Sequence, residues 1–391
     1  MPAALETEIV IVGAGLAGST AALRFASFGA RVALVDPFPA YPADFRCEKL
    51  TGAQSALAER LGLGNVLASQ STSSDGVMVA RGGRLVEHLR APERTFRYDQ
   101  FVNAVRAETA ATVPFFAAKV DDITVNAKSP SVRLSSGETI TARLVVLATG
   151  PGEKLRASLR MKRRMLGENH SISIGFDLVN ESGLKISDRE LTHFGETAGD
   201  GIAYATLFPL GGVTRCNFFC YHDPKSDFIR DFRRDPLQGL LAALPGLFSI
   251  IGPVVRRSRA EIRVTDLYEV DDPARDGVVL IGDAQHASCP VTGTGVTRVL
   301  TDVERLCDVY WPRWRAADAI PADEIAAYYT DPEKQRVDGL ALAKAIRDRR
   351  QATETGLGVR ARRIGAGVRA RMRAGLAGQR RLSLSPPPGT A

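Results

Sequence analysis

The sequence predicts an α/β fold, in which a Rossmann-like dinucleotide-binding unit is interrupted by an inserted antiparallel sheet and followed by C-terminal helices. Three observations carry this. A short β-branched strand at residues 8–12 runs straight into Gly13, and residues 19–28 then have helix-like composition. Between residues 171 and 221 strand-like segments dominate. A second fully apolar strand, residues 278–281, leads into Gly282 and then into helical sequence at 296–310, so the first unit resumes after the insertion.

Taken in order, residues 31–35 turn apolar again after the first helix and complete a strand, helix, strand unit. Pro37, Pro39 and Pro42 exclude regular helix from residues 36–44. Helical periodicity resumes at 50–63, and 97–108 reads as another helix. Residues 120–125 and 131–134 alternate as a hairpin, and Ser135-Ser136-Gly137 is the next turn before the buried strand 144–148. Segments 171–178, 203–208 and 214–221 read as an antiparallel sheet of different character. The expected organisation is a discontinuous cofactor domain (1–70, 95–160 and 271–330), a substrate domain (71–94 and 161–270), a C-terminal helix (331–354) and a basic tail (355–391). No internal repeat of 20 to 50 residues, the range of a solenoid or propeller, is evident.

With 391 residues, 45% of them apolar, the chain can bury one large core or two. The longest apolar runs fall far short of the roughly 20 residues needed to span a membrane. Glu6 and Glu8 occupy the place of a basic leader, so a cytoplasmic protein is expected. Cys47, Cys216, Cys220, Cys289 and Cys307 lack the paired spacing of a zinc site or disulfide framework and read as free thiols. Cys216 and Cys220 lie on one strand face but too far apart to bridge.

The net charge of +7 suggests nucleic acid until its distribution is read. Eight arginines and no acidic residue follow Thr355 (Arg360, Arg362, Arg363, Arg369, Arg371, Arg373, Arg380 and Arg381), so the tail carries the whole excess. A nucleic-acid partner is not expected. The Gly-rich tail, ending in Ser385-Pro386-Pro387-Pro388, reads as a loosely ordered, solvated segment, with peripheral contact to acidic lipid or a partner as the alternative.

Gly13-Ala14-Gly15-Leu16-Ala17-Gly18 sits between a strand and a helix, the context that makes this pattern informative. Gly13 permits a tight turn, Gly15 lets backbone approach a pyrophosphate, and Gly18 lets the helix pack on the strand. The anion rests on the helix N-terminus. Asp36, about 20 residues on, is placed to accept hydrogen bonds from the adenosine ribose and to disfavour a 2′-phosphate. This segment alone suits NAD as well as FAD.

The second motif decides for FAD. Gly282-Asp283-Ala284-Gln285-His286, then Pro290 and Gly293-Thr294-Gly295 at a helix start, with Asp302 beyond, resembles the class A flavoprotein monooxygenases, the p-hydroxybenzoate hydroxylase-like group. The resemblance implies a Rossmann-like FAD-binding domain with an inserted antiparallel-sheet substrate domain. It implies that Asp283 binds the ribityl and pyrophosphate region, that Pro290 lies by the flavin ring, and that the turn from Gly293 to Gly295 faces it. Backbone N–H groups at a helix start can hold negative charge on the reduced ring. Arg46 resembles the family's arginine over the FAD phosphates, a structural ion pair being its other reading. Leu147-Ala148-Thr149-Gly150 resembles a strand end common in FAD proteins.

Two departures stand out. Gly150-Pro151-Gly152-Glu153-Lys154 replaces the family's Asp-Gly motif, which puts direct NADPH use in question, and Tyr98 stands where many members carry arginine, with Arg97 beside it. Halogenases share the fold, but their Trp-x-Trp-x-Ile-Pro signature is absent. Trp311-Pro312-Arg313-Trp314 reads as a helix end packed by two aromatics.

The expected activity is therefore an FAD-dependent monooxygenase that uses a flavin C4a-hydroperoxide to put one oxygen atom of O₂ into an apolar or aromatic small molecule. Electrons come from NAD(P)H or from reduced flavin supplied by a partner flavin reductase. The alternatives are a C=C reductase or dehydrogenase of the geranylgeranyl reductase type and a non-catalytic FAD-binding protein. His286, His222 and His193 are candidate acid or base groups, with a positional role expected for His286. Glu48 and Lys49 read as paired with solvent or neighbours. Phe208, Phe218, Phe219 and Tyr221 suggest an apolar site without a distinctive polar constellation.

Overall fold

The computed structural model describes residues 4–46 and 48–356. The first glycine turn lies at the edge of a five-stranded parallel sheet ordered Val278–Leu280, Leu144–Leu147, Ile9–Val12, Val32–Asp36, Phe115–Ala117. Its central strands are apolar at every position because both faces are covered. Ile9, Ile11, Val32, Leu34, Leu144 and Val146 pack against the helices Leu16–Ser27, Tyr98–Thr109 and Gly295–Glu304, around Phe25, Phe101 and Leu300. The alternating Val10, Val12, Ala33, Val35, Val145 and Leu147 face a four-stranded sheet (Ala4–Glu6, Thr139–Thr141, Ser131–Leu134, Val120–Thr124) through Ile123, Val132 and Ile140. The side-chain period of two thus divides one sheet between two cores.

The second large element is a nine-stranded sheet built on Arg163–Asn180, which pairs antiparallel with Val213–Cys220, Glu261–Val270 and Val254–Arg256. Ile202–Leu210, Glu190–Phe194, Val77–Arg81 and Arg84–Leu89 extend it outward. Strand 171–178 of the sequence reading is the second half of an 18-residue strand. Residues 163–170 carry no apolar alternation, and the ladder shifts register on either side of Gly167, so the strand's first half left no pattern to read. One face, through Ile172, Ile174, Phe176, Cys216, Phe218 and Cys220, buries the helices Asp227–Arg234, Pro236–Ala243 and Pro245–Ile251. The other face presents Ser173, Gly175, Asp177, Arg215, Asn217 and Phe219, and Phe45 packs directly on Gly175.

The two sheets meet at the second glycine motif. His286–Ala287 pairs with the end of Glu261–Val270, so the edge of the large sheet carries part of the loop that follows Val278–Leu280. Beyond Gly295–Glu304 the chain makes a π-helical turn, Arg305–Tyr310, and the helices Trp311–Ala316, Ala322–Tyr329 and Pro332–Thr353. Trp311 and Trp314 are buried, Trp311 edge-on to Phe25 with ring centroids 5.6 Å apart, in line with the expected packing role. Cys216, Cys220, Cys289 and Cys307 are free and buried. Among the described residues no helix is long and apolar enough to cross a membrane, and no His, Cys, Asp and Glu cluster suits a metal ion. Cys47 and the arginine-rich tail from Arg360 onward lie outside the described residues.

Candidate functional site

The first turn is locked by backbone contacts that only glycine permits. Gly13 has φ of +102°, and a β-carbon there would lie 2.4 Å from the Ala148 carbonyl oxygen. A β-carbon on Gly18 would lie 1.8 Å from the Gly13 carbonyl oxygen. Gly15 differs: it has an ordinary φ of −73°, and its nearest neighbour would be the Tyr41 ring at 3.8 Å. Gly15 is also the N-cap of Leu16–Ser27 and no side chain caps that helix, so its first N–H groups are presented to a ligand.

Asp36 ends the second parallel strand and reaches back over the turn. Its Oδ2 accepts the Ala14 N–H at 2.8 Å, and its Oδ1 accepts the Phe38 N–H at 2.9 Å. Arg106, unremarked in the sequence, completes the arrangement from the helix Tyr98–Thr109. Buried there, it donates to the carbonyls of Ala14 at 2.7 Å and Phe38 at 2.8 Å, and lies 3.5 Å from Asp36. A single arginine in a 12-residue helix leaves no signal of its own, which is why it went unread.

The second turn stands beside the first. A β-carbon on Gly282 would touch the Ala17 methyl at 3.4 Å, so the strand end Val278–Leu280 and the helix Leu16–Ser27 converge there. Arg46 joins them: its Nη1 is 3.5 Å from Asp283 and its Nε donates to Asp44 at 2.9 Å. Arg46 is thus held in ion pairs with Asp44 and Asp283.

The flavin-type loop is held from three sides. Gln54, from the helix Gly52–Arg60, donates to the Gly293 carbonyl at 2.9 Å and to Thr297 at 3.0 Å. Gly293 is left-handed at φ of +66° with nothing near its missing β-carbon, and the following helix has Thr294 as N-cap without a side-chain cap. Pro290 opens the preceding 3₁₀ turn, Pro290–Thr292, whose Val291 carbonyl accepts the Tyr204 hydroxyl at 2.5 Å from the sheet. Tyr268 donates to the Asp283 carbonyl at 2.6 Å, and its ring carries the Arg163 guanidinium at 4.1 Å. Arg156 and Arg163 both donate to Pro151, so the Gly150-Pro151-Gly152 loop that replaces the Asp-Gly motif is anchored to the back of the same site.

A buried ionic network supports the loop from behind. The Gly282 N–H donates to Asp302 at 2.8 Å, Asp302 accepts from Lys334 at 2.6 Å, and Lys334 also reaches Asp338 and Gln285, each at 3.2 Å. Arg298 donates to Asp338 at 2.6 Å and to the His286 carbonyl at 2.8 Å. Lys334 and Arg298 are almost wholly buried, and each charge has a partner, as buried charge requires.

The three candidate histidines all have their charged form disfavoured by burial. Burial, reinforced by Arg298, pushes His286 down to about 3, so its neutral form is favoured. His193 is wholly buried, with Nε2 accepting the Gly83 N–H at 3.4 Å, and burial lowers its pKa. His222 stacks on Phe228 with centroids 4.0 Å apart, against the helices behind the sheet.

Two sequence expectations are corrected. Phe218 belongs to the helix-covered core, because Phe218 and Phe219 point to opposite faces. The inner face is not poor in polar groups: Glu48 is buried against it, accepting Asn217 Nδ2 at 3.1 Å with Arg215 at 3.5 Å, while Arg215 also lies 3.1 Å from Asp177. The alternation that hides Arg215 and Asn217 among Cys216, Phe218 and Cys220 reads as a half-polar strand, and Glu48 sits far away in sequence. Lys49, beside it, points elsewhere and pairs with Glu93 at 2.6 Å and Glu190 at 3.1 Å.

The features fit FAD: an uncapped helix start for a pyrophosphate at Gly15, a carboxylate at the adjacent strand end, and a second uncapped helix start behind a left-handed glycine. The comparisons agree. Residues 8–188 match the family described as GIDA, glucose inhibited division protein A. The chain is 26% identical over 334 residues to the ubiquinone hydroxylase UbiL of Rhodospirillum rubrum, covering 77% of this chain and 71% of UbiL. It superposes on the p-nitrophenol 4-monooxygenase PnpA of Pseudomonas putida with a TM-score of 0.76 at 17% identity, over 95% of this chain and 97% of that one. PqsL of Pseudomonas aeruginosa superposes with a TM-score of 0.64 at 20% identity, over 87% of this chain and 96% of PqsL. Two glycine turns thus converge on one site, in a chain that shares the fold of PnpA and PqsL.

Proposed function

We propose that this enzyme is an FAD-dependent monooxygenase that transfers one oxygen atom of O₂ to an apolar or aromatic small molecule. The observation that carries the reading is the convergence of the Gly282 turn on Ala17, with Arg46 bridging to Asp283 and the inner sheet face approaching the same loops through Tyr204. The hydroxylase and monooxygenase names of UbiL and PnpA support it.

In this reading the backbone of Gly13 to Gly18 receives the pyrophosphate, Asp36 the adenosine ribose and Arg46 with Asp283 the ribityl-phosphate region. Pro290 and the Gly293-Thr294-Gly295 turn lie along the ring, where helix N–H groups hold the negative charge of reduction. Bound and reduced, FAD supplies the oxygen activation. The chain's own part is to orient the ring, exclude water and place the substrate against the sheet. Electrons come from NAD(P)H or from a partner flavin reductase. The anchored Gly150-Pro151-Gly152 loop, in place of Asp-Gly, favours the reductase.

The test is spectroscopic. The purified protein should be yellow or reconstitute with FAD, and anaerobic mixing with NADH, NADPH or reduced flavin identifies the donor by bleaching. Stoichiometric O₂ uptake with an oxygenated product supports the proposal. Substrate reduction without O₂ would replace it with the C=C reductase reading, and a bound flavin with no turnover would favour the non-catalytic one.

A further inference from the structure

We propose that the apolar cavity between the helices Leu16–Ser27 and Gly295–Glu304 is a dioxygen site, in which O₂ is held beside the cofactor turns before it reacts. The inference rests on the monooxygenase reading above and assigns the place from which that reaction draws its gas.

Position comes first. The cavity, about 10 Å³ in volume, has room for one small molecule. Leu16 and Val296 line it from the first turns of the two helices, each directly after a glycine of a cofactor turn, Gly15 or Gly295. Both are 8% exposed, whereas the deeper lining residues, among them Ala58, Leu63 and Leu300, are 3% exposed or less. The side of the cavity nearest the surface is therefore the side of the cofactor turns.

The cavity is also held open. Gln54 ties the helix Gly52–Arg60, which carries Ala58, to the Gly293 carbonyl at 2.9 Å and to Thr297 at 3.0 Å. The two cofactor helices already meet across Gly282, where a β-carbon would touch Ala17 and Val299 at 3.4 Å each. Phe96 and Phe101, which also line the space, stack with ring centroids 4.5 Å apart. These contacts keep the surrounding elements from closing on it.

The lining selects the occupant. It is wholly apolar, so water would enter without hydrogen-bond partners and a polar substrate would lose its own. Dioxygen has neither charge nor hydrogen bonds to give up, and it gains dispersion contacts with the surrounding carbon. No bond forms or breaks here: O₂ enters and leaves unchanged, and the cavity raises its concentration beside the turns that hold FAD.

The probe is O₂ itself, whose paramagnetism speeds the relaxation of nearby nuclei. Methyl NMR of the oxidised, FAD-loaded, full-length protein under O₂, compared with the same pressure of N₂, should show a strong effect at Leu50, Leu63 and Leu300. It should be much weaker at Val132 and Leu147, which are as deeply buried in the neighbouring core. Ala58→Val, which fills the space, should abolish the effect at Leu63 and Leu300. It should also slow, several-fold, the reaction of bound reduced FAD with O₂, which without substrate gives FAD and hydrogen peroxide. Leu63→Ala, which widens the space, should keep the effect at Leu50 and Leu300 and reoxidise at least as fast as wild type; retained FAD shows that each variant is folded. Effects no stronger around the cavity than at Val132 and Leu147 would overturn the site, and unchanged reoxidation in an Ala58→Val protein that has lost them would overturn its role. Either result leaves the monooxygenase reading standing, because that reading is tested separately by O₂ uptake with substrate and by the oxygenated product.

Discussion

At the residue scale, the first glycine turn separates two functions that a motif treats as one. Gly18 is required by packing, because its β-carbon would sit 1.8 Å from a backbone carbonyl that cannot move without undoing the turn. Gly15 is under no such packing demand, because the protein itself leaves room there. Gly18→Ala is therefore expected to destabilise even the flavin-free protein by about 3 kcal/mol, read by chemical denaturation. Gly15→Ala should unfold at the wild-type midpoint but bind FAD about tenfold more weakly or worse, since its methyl group stands where a phosphate must approach. Equal stability losses in the two variants would show that Gly15 too is a packing residue. Position 48 makes a similar point: beside Lys49 in the chain, Glu48 has an entirely different environment because successive side chains leave an extended segment on opposite sides.

At the element scale, the last helix, Pro332–Thr353, is an integral support of the flavin loop. Asp331 caps it by accepting the Glu333 and Lys334 N–H groups, and Lys334 then enters the protein to neutralise Asp302 and Asp338. Lys334→Met would strand two buried carboxylates with one remaining cation, Arg298, at a cost of about 3–5 kcal/mol. Because Asp302 holds the Gly282 N–H, the same change should loosen FAD. Denaturation and flavin titration measure the two effects, and a stable variant with unchanged FAD affinity would show that the helix is only an outer covering. By contrast, a chain ending after Glu354 is expected to keep its FAD and its turnover, since among the described residues the contacts that hold the site come from earlier positions. Loss of localisation in that shortened chain would assign the basic tail to binding a membrane or partner.

At the scale of the whole molecule, all five histidines are held below their ordinary pKa, chiefly by burial: His286 at about 3, His170 at about 4, and His88, His193 and His222 lowered in the same direction. Each is neutral in the folded protein, whereas the unfolded chain takes up protons below about pH 6.5. Stability should therefore fall as pH drops from about 6.5, through the window in which only the unfolded state binds protons. His286 alone accounts for on the order of 2 kcal/mol by pH 5. Denaturation at pH 7 and pH 5 checks this, with His286→Asn expected to show a shallower loss; an unchanged slope would mean that the ring is accessible to protons when folded. The buried carboxyls of Glu48 and Glu190, raised to about 7, act in the opposite sense and take stability away as pH rises above about 4.5.

Much of the cofactor half was legible because its requirements are local. A strand running into glycines, a carboxylate at the next strand end and a glycine, aspartate and proline series before a helix each depend on the backbone within a few residues, so their spacing in the chain is their geometry. Even the parallel sheet was signalled, since strands buried on both faces read as unbroken apolar runs. What the tertiary structure alone decided is which distant residues share a buried environment. Asn217 reaches Glu48 across 169 positions, Arg106 clamps Ala14 across 92, and Lys334 meets Asp302 across 32, by packing that leaves no local periodicity. The inner face of the large sheet escaped for the same reason: strand register, with its shifts around Gly167, sets which side chains line up, and register is fixed only when the strands pair.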